Sequence, residues 1–231
     1  MFEDPLFWLC VAPGLLLGFY AQSKIKSNYV HYSQVATESG LTGAQVARYL
    51  LDSKGLQAVT IEQTPGLLSD HYDPRHNILR LSPEVYNTPS LAAVGIAAHE
   101  TGHALQDAAG YFPMQIRAFI VPLVQLSSRF APWLFFGGLI LDMPPAAWAG
   151  VIMFGASTLF SLVTLPVEID ASNRAKALLE SQNIVRSQEQ KTGIAKVLNS
   201  AAWTYVAGAV SAIGTLLYFA LVALTRVRRG P

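Results

Sequence analysis

The sequence predicts a mainly α-helical integral membrane protein with about four transmembrane helices and a small α+β unit at the membrane surface. Of its 231 residues only 13% are charged, whereas a soluble domain carries about 25%. Hydrophobic residues make up 52% of the chain, and the mean hydropathy is +0.33. Apolar stretches alternate with two polar intervals that can fold into the α+β unit. This composition excludes a disordered chain and argues against an ordinary soluble globule.

Charge and cysteine content narrow the range of ligands. Sixteen Lys and Arg residues stand against fifteen Asp and Glu residues, so the net charge is +1. The chain therefore lacks the excess of basic residues that is typical of proteins that bind nucleic acid, and no nucleic-acid partner is expected. Cys10 is the single cysteine, which excludes an intramolecular disulfide and a cysteine-based zinc site. A metal ion would have to be held by His and carboxylate side chains.

The predicted spans are residues 6–21, 119–141, 146–167 and 201–225. A helix needs about 20 apolar residues to cross the hydrocarbon layer, and the third and fourth stretches contain no charge. The second contains Arg129, which must point into the protein or precede the helix, because a charge at mid-depth is costly. The first stretch could be a cleaved signal peptide. Because Glu3 and Asp4 precede it, where a signal peptide carries Lys or Arg, we expect a retained anchor.

Basic residues predict the orientation of the chain. With four spans, the polar intervals 22–117 and 168–196 share one face of the membrane, and together they hold twelve Lys and Arg residues. The tail holds three, namely Arg226, Arg228 and Arg229. The positive-inside rule therefore places the face with the two intervals in the cytoplasm, although the basic tail then lies outside. We expect residues 1–231 to form a single membrane-integrated unit in which both intervals contribute to one site.

Local signals divide the first polar interval into short elements. Thr42 can cap a helix from Gly43 to about Ser53, and Ser90 can cap another from Leu91 to about Ala109. The segments Ala58–Glu62 and Asn77–Leu81 are short strand candidates, with a turn at Asp73-Pro74 between them.

The second of these helices contains His99-Glu100-Thr101-Gly102-His103. Residues at i and i+4 lie about 40° apart around a helix, so both imidazoles project from one face and can reach one Zn²⁺ at about 2.0–2.1 Å. Glu100 is next to the first ligand, where its carboxylate can reach a metal-bound water. Gly102 costs about 1 kcal/mol relative to Ala inside a helix. It therefore predicts the close approach of another backbone.

A catalytic zinc site also needs a third protein ligand. The remaining histidines all lie upstream, so a ligand downstream of the pair must be a carboxylate. Glu168 and Asp170 stand where the third span is expected to emerge on the same face as the His helix. Spacing alone does not separate these two, and the pair could instead cap the next helix.

Three segments give the chain a resemblance to a known family. They are His-Glu-Thr-Gly-His-Ala-Leu-Gln at 99–106, Leu-Ser-Asp-His-Tyr-Asp-Pro at 68–74 and Leu-Pro-Val-Glu-Ile-Asp-Ala-Ser at 165–172. Over nearly its whole length the chain resembles the YugP-like neutral zinc metallopeptidases of bacterial membranes, which are similar to gluzincins. The resemblance implies a zincin-like catalytic unit with one Zn²⁺ per chain and Glu168 as the third ligand. Many gluzincins place an Asp four residues after that Glu, and here Ser172 stands there, which leaves Asp170 as an outer partner or a rival ligand.

The resemblance also implies an activity and a location. We expect a multi-pass metalloprotease of the bacterial plasma membrane, an endopeptidase that cleaves protein or peptide substrates with Glu100 as general base. His71, Tyr72 and Arg174 are candidates to bind substrate or donate to the oxyanion. The strand Asn77–Leu81 is a candidate to pair with an extended substrate. The sequence does not identify a regulatory membrane partner or an oligomeric state.

Three alternatives stay open at this stage. The chain could cleave within the membrane, although the His helix is short and is followed by Gln106 and Asp107. It could be an inert membrane adaptor with a structural metal site, although such a scaffold has no need of Glu100. It could also be a zinc hydrolase that does not act on peptides, because the motif specifies water activation and not the bond attacked.

Overall fold

The structure is a computed structural model that describes residues 3–227, with side chains described up to residue 225. Arg228 and Arg229 of the predicted basic tail lie outside the described residues, as does the side chain of Arg226. The described helices are α1 Pro5–Ser33, α2 Gly43–Ser53, α3 Pro83–Asn87, α4 Leu91–Ala108, α5 Phe112–Ile140, α6 Pro144–Ser181 and α7 Gln188–Val227. The described strands are β1 Thr60–Gln63, β2 His71–Asp73 and β3 Ile78–Leu81.

The predicted fold class is confirmed as mainly helical with a small sheet and with helices that could span a membrane. Four described helices, α1, α5, α6 and α7, are long and apolar enough to cross a membrane. The predicted spans 6–21, 146–167 and 201–225 lie within α1, α6 and α7, and 119–141 lies within α5 except for Leu141, which follows the end of that helix. The helices continue beyond the spans: α6 runs on to Ser181, and α7 begins at Gln188. The apolar stretches are therefore segments of longer helices, because a helix continues into polar sequence wherever its polar turns find packing partners.

The chain divides into two compact units, and the first contains the apolar segments. It comprises residues 3–20, 113–166 and 203–227 of the described chain. Its core is aromatic, with the rings of Phe135 and Phe219 stacked 4.2 Å apart. Large apolar side chains such as Phe119 and Trp133 are exposed on its surface, as expected of helices that contact lipid. The turn between α5 and α6 is tight, since α5 ends at Ile140 and α6 begins at Pro144.

The second unit brings the two polar intervals together. It comprises residues 21–112 and 167–202, and it contains α2, α3, α4 and the sheet together with the polar continuations of α1, α6 and α7. Its two hydrophobic clusters include Leu50 and Val94 in one and Leu51 and Leu81 in the other. The predicted helix at Gly43–Ser53 is confirmed, with Thr42 and Gln45 forming a reciprocal capping box.

The sheet has the order β1-β3-β2, with β1 parallel and β2 antiparallel to β3. The two predicted strands are present with small shifts, whereas β2 was missed because it has only three residues beside a turn signal. The prediction that Asn77–Leu81 pairs with an extended substrate is wrong. β3 is the central strand, and its backbone groups already pair with β1 on one side and β2 on the other.

Helix α4 is the most buried helix of the second unit that the structure describes. The Ser90 side chain accepts a hydrogen bond from the Ala93 backbone N–H at 3.2 Å, which confirms the predicted cap. Gly102 lies against α6: a Cβ at this position would be 2.6 Å from the Ala171 carbonyl oxygen. The predicted close approach of another backbone at Gly102 is therefore confirmed.

Gly102→Ala is expected to lower the free energy of unfolding by about 1–3 kcal/mol, because the methyl group overpacks the contact with the α6 backbone. Gly95→Ala is the matched control on the same helix, since its Cβ would make an ordinary contact at 3.5 Å from Ile194. The control should be neutral or slightly stabilising, because Ala favours the helix by about 1 kcal/mol. Denaturation midpoints of the detergent-solubilised protein measure both effects, and equal midpoints for the two variants would contradict the packing argument.

Candidate metal centre

Helix α4 presents the paired histidines on one face. The ring centroids of His99 and His103 are 4.7 Å apart, and the rings are nearly perpendicular at 83°. His103 and Glu100 are each only 8% exposed, so the centre is largely shielded from water. The four-residue spacing therefore places two imidazoles side by side in a buried setting, as the sequence predicted.

The first turn of the polar part of α6 supplies a carboxylate to the same place. Glu168 is 3% exposed, and its Oε2 lies 3.2 Å from His99 Nε2 and 3.4 Å from His103 Nε2. A carboxylate this deeply buried is costly unless it is paired or bound to a cation. The structure therefore brings together the two histidines and the acid that the sequence placed 69 positions after His99.

These three groups fit a zinc ion. Two ligands at about 2.0–2.1 Å from a tetrahedral zinc are separated by about 3.3–3.4 Å. The carboxylate-to-imidazole separations match this value, and all three donor atoms lie within 4.8 Å of one another. Among the described residues this is the only group of three or more His, Cys, Asp or Glu side chains that could hold a metal ion. Two imidazoles and one carboxylate form a donor set that suits zinc.

The outward-facing nitrogen of each imidazole also has a partner. His103 Nδ1 lies 2.9 Å from Gln106 Oε1, and His99 Nδ1 lies 3.1 Å from the Ser172 hydroxyl. Ser172 stands where many gluzincins have an Asp, and its hydroxyl contacts the first histidine from that position. Gln106 was not predicted to take part in the site, although a residue three positions after His103 shares its helix face.

The negative charges around His103 favour a positive charge on or beside its imidazole. Burial lowers the pKa of His103, but the hydrogen bond with Glu168 and the negative charges of Glu100 and Glu168 outweigh burial. The net effect raises the pKa above its ordinary value. The second unit is therefore electrostatically arranged to accept a cation where the two imidazoles meet Glu168.

Asp170 is placed differently from Glu168. Its Oδ2 accepts hydrogen bonds from Gln106 Nε2 at 2.8 Å and from Arg174 Nε. The Arg174 guanidinium in turn lies over the Tyr111 ring, 5.6 Å from its centroid. Asp170 is therefore hydrogen-bonded to Gln106 and Arg174, and Arg174 contacts both this carboxylate and the Tyr111 ring.

His71 and Tyr72 lie on β2, outside the three-residue group. His71 Nδ1–H donates to the Ser69 carbonyl at 2.8 Å in an exposed position. The Tyr72 hydroxyl is within hydrogen-bond distance of Asp107 at 3.0 Å and Asn77 at 3.1 Å. Burial and the bond to Asp107 raise the pKa of Tyr72, so its hydroxyl stays protonated and remains a donor. These contacts join β2 to the end of α4.

Two histidines and an adjacent acid on one helix, together with a carboxylate from another, form a candidate metal centre of the kind found in metallohydrolases, and four helices of the described chain are long and apolar enough to cross a membrane. The family model described as "Putative neutral zinc metallopeptidase" matches residues 7–224, and the chain belongs to this family. The protein described as "Putative membrane protease YugP" of Bacillus subtilis (strain 168) is 44% identical over 219 residues, which cover 95% of this chain and 97% of that protein. No solved structure matches the chain. The resemblance inferred from the sequence is confirmed.

Proposed function

We propose that this protein is a membrane-embedded zinc metalloprotease that hydrolyses peptide bonds. The observation that supports this most directly is the position of the buried Glu168 carboxylate, which lies 3.2 and 3.4 Å from the two imidazoles beside Glu100. A metal site with a purely structural role would not need Glu100, a second buried acid next to the histidine ligand His99. Family membership and the relative described as a membrane protease point the same way.

Each residue of the centre has a separate task in this proposal. His99, His103 and Glu168 would hold the zinc ion, which would supply Lewis-acid activation of water and of the scissile carbonyl when bound. Glu100 accepts the proton of the attacking water and later donates it to the leaving amine. Glu100 is only 8% exposed, which limits competing hydrogen bonds from bulk water.

The location follows from the helices and the basic residues. We place the chain in the bacterial plasma membrane as a multi-pass protein whose second unit faces the cytoplasm.

The substrate is a protein or peptide, and internal cleavage is expected because a sheet edge binds extended segments without needing a terminus. β2 forms an edge of the sheet and packs against α4, so β2 replaces Asn77–Leu81 as the strand that pairs with substrate.

The test is a comparison of the peptides released by the wild-type protein and by Glu100→Gln. Both proteins are purified with zinc, reconstituted in lipid vesicles and incubated with a membrane and cytosolic proteome. Mass spectrometry should detect new termini with the wild type that are absent with the variant. Identical termini with both proteins would contradict the proposal, and the released sequences would show whether cleavage falls within membrane spans.

Zinc is expected to stabilise the folded protein. Free zinc at about 1,000 times its dissociation constant adds about 4 kcal/mol to the stability of a protein that binds it only when folded. Dialysis against a chelator should lower the thermal midpoint, and added zinc should restore it. The same titration of Glu168→Ala should give little change, and a full zinc-dependent shift in that variant would contradict the ligand assignment.

A further inference from the structure

We propose that Gln106 is a positioning residue that fixes which nitrogen of His103 carries the proton, so that His103 Nε2 presents a free lone pair beside Glu168. The inference rests on the proposed function only in that zinc is taken as the bound ion. It concerns metal binding and not the bond that is hydrolysed.

The Gln106 side chain is fully buried and uses both ends of its amide. Its Nε2 lies 2.8 Å from the Val167 carbonyl oxygen and 2.8 Å from Asp170 Oδ2, and its Oε1 lies 2.9 Å from His103 Nδ1. A buried amide on a helix that makes three contacts of this length is held in one orientation.

The partners of Gln106 determine that orientation. The Val167 carbonyl can only accept a hydrogen bond, and Asp170 Oδ2 already accepts one from Arg174 Nε. The NH₂ group of Gln106 must therefore face them, which turns the Oε1 atom towards His103. Since Oε1 cannot donate, His103 Nδ1 must carry the proton and donate to it. The neutral ring then has its lone pair on Nε2, the atom 3.4 Å from Glu168.

Arg174 secures the outer end of this chain of hydrogen bonds. Its Nε donates to the same oxygen of Asp170 that accepts from Gln106, and its guanidinium lies over Tyr111. The guanidinium can only donate, so the Asp170 oxygen that it contacts serves as an acceptor for both Arg174 and Gln106. The Ser172 hydroxyl at His99 differs, because a hydroxyl can both donate and accept and so does not select a proton position.

The experiment measures zinc affinity of the full-length protein in detergent by competition with a chelator. Gln106→Met removes both ends of the amide and keeps a side chain of similar length, so zinc should bind about 10- to 100-fold more weakly. Thr101→Val is the matched control: Thr101 is equally buried on α4, and its hydroxyl donates to the Ala97 carbonyl at 2.9 Å without touching an imidazole. It should change the affinity by less than about threefold. An affinity for Gln106→Met equal to that of the control would overturn the inference.

Nitrogen NMR of the zinc-loaded protein supplies a readout that a merely structural role would not move. The chain has five histidines, so ¹⁵N-histidine labelling gives a spectrum simple enough to assign by substitution. The wild type should show His103 with a slowly exchanging Nδ1 proton, and that proton should exchange at least about tenfold faster in Gln106→Met, which lacks the acceptor. A proton found on Nε2 of His103 in the wild type would overturn the inference.

If Gln106→Met does not fold, the variant Asp170→Ala tests the inference instead. This variant removes one of the two acceptors that orient the amide, so zinc should bind about 3- to 10-fold more weakly and the Nδ1 proton should exchange faster. Wild-type affinity and exchange would overturn the inference. A wild-type protein that binds zinc but releases no peptide would contradict the proposed function alone, since the effect of Gln106 on zinc affinity would persist.

Discussion

Glu100→Gln is expected to retain about one zinc ion per chain while peptide hydrolysis falls by about 100- to 10,000-fold. The amide has nearly the same shape as the carboxylate, so the packing around the 8% exposed side chain is preserved. It cannot accept a proton at neutral pH, and general-base assistance is therefore lost. Zinc content by elemental analysis and peptide release by mass spectrometry measure the two properties on the same preparation.

Thr101→Val serves as the control for Glu100→Gln. It alters the adjacent position on the same helix, and its hydroxyl contacts only a backbone carbonyl of α4 among the described hydrogen bonds. The control should keep both zinc and hydrolysis. Residual hydrolysis above about 10% in Glu100→Gln would show that another residue acts as the base. A loss of zinc from that variant would show that Glu100 contributes to the metal site itself.

Glu168→Ala is expected to lose both zinc and hydrolysis. In the proposed metal centre it removes one of three protein ligands, so the loss of zinc affinity should exceed the roughly 10- to 100-fold loss expected on removing an outer partner of a ligand. The two imidazoles left behind cannot complete a tetrahedral site without an additional water. Competition with a chelator measures the affinity, and the same samples are assayed for peptide release.

Asp170→Ala is the matched control for Glu168→Ala, since it removes a carboxylate two residues away on the same helix. Zinc supplied in excess should still bind to about one ion per chain, because Asp170 contacts Gln106 and Arg174 and is not one of the three clustered donors. Complete retention of zinc by Glu168→Ala, with loss from Asp170→Ala, would transfer the third ligand to Asp170.

Much of the fold could be predicted because local signals were strong. The caps at Thr42 and Ser90 marked the starts of α2 and α4, since their side chains satisfy backbone N–H groups that would otherwise lack partners. The apolar stretches marked the four long helices but not their ends, which depend on packing in the second unit. β2 was missed because three residues have too little hydrophobic pattern to stand out beside a turn.

The candidate site was only partly predictable for a physical reason. The histidine pair follows from spacing within one helix, but Glu168 and Asp170 differ by about 200° around α6, and sequence does not say which one faces α4. That rotation is set by packing, in which the Ala171 backbone rests on Gly102. Gln106 was missed because its partners at Val167 and Asp170 lie 61 and 64 positions away, beyond any local pattern.

The separation of the donors along the chain also has a consequence for biosynthesis. His99 leaves the ribosome 69 residues before Glu168, and residues 113–166 of the first unit are made in between. At about 5–20 residues per second, translation takes about 3–14 seconds to cover this distance. A nascent chain that has been made only as far as α5 therefore contains both histidines but lacks Glu168, so the three-residue group can form only after the start of the polar part of α6 has been made.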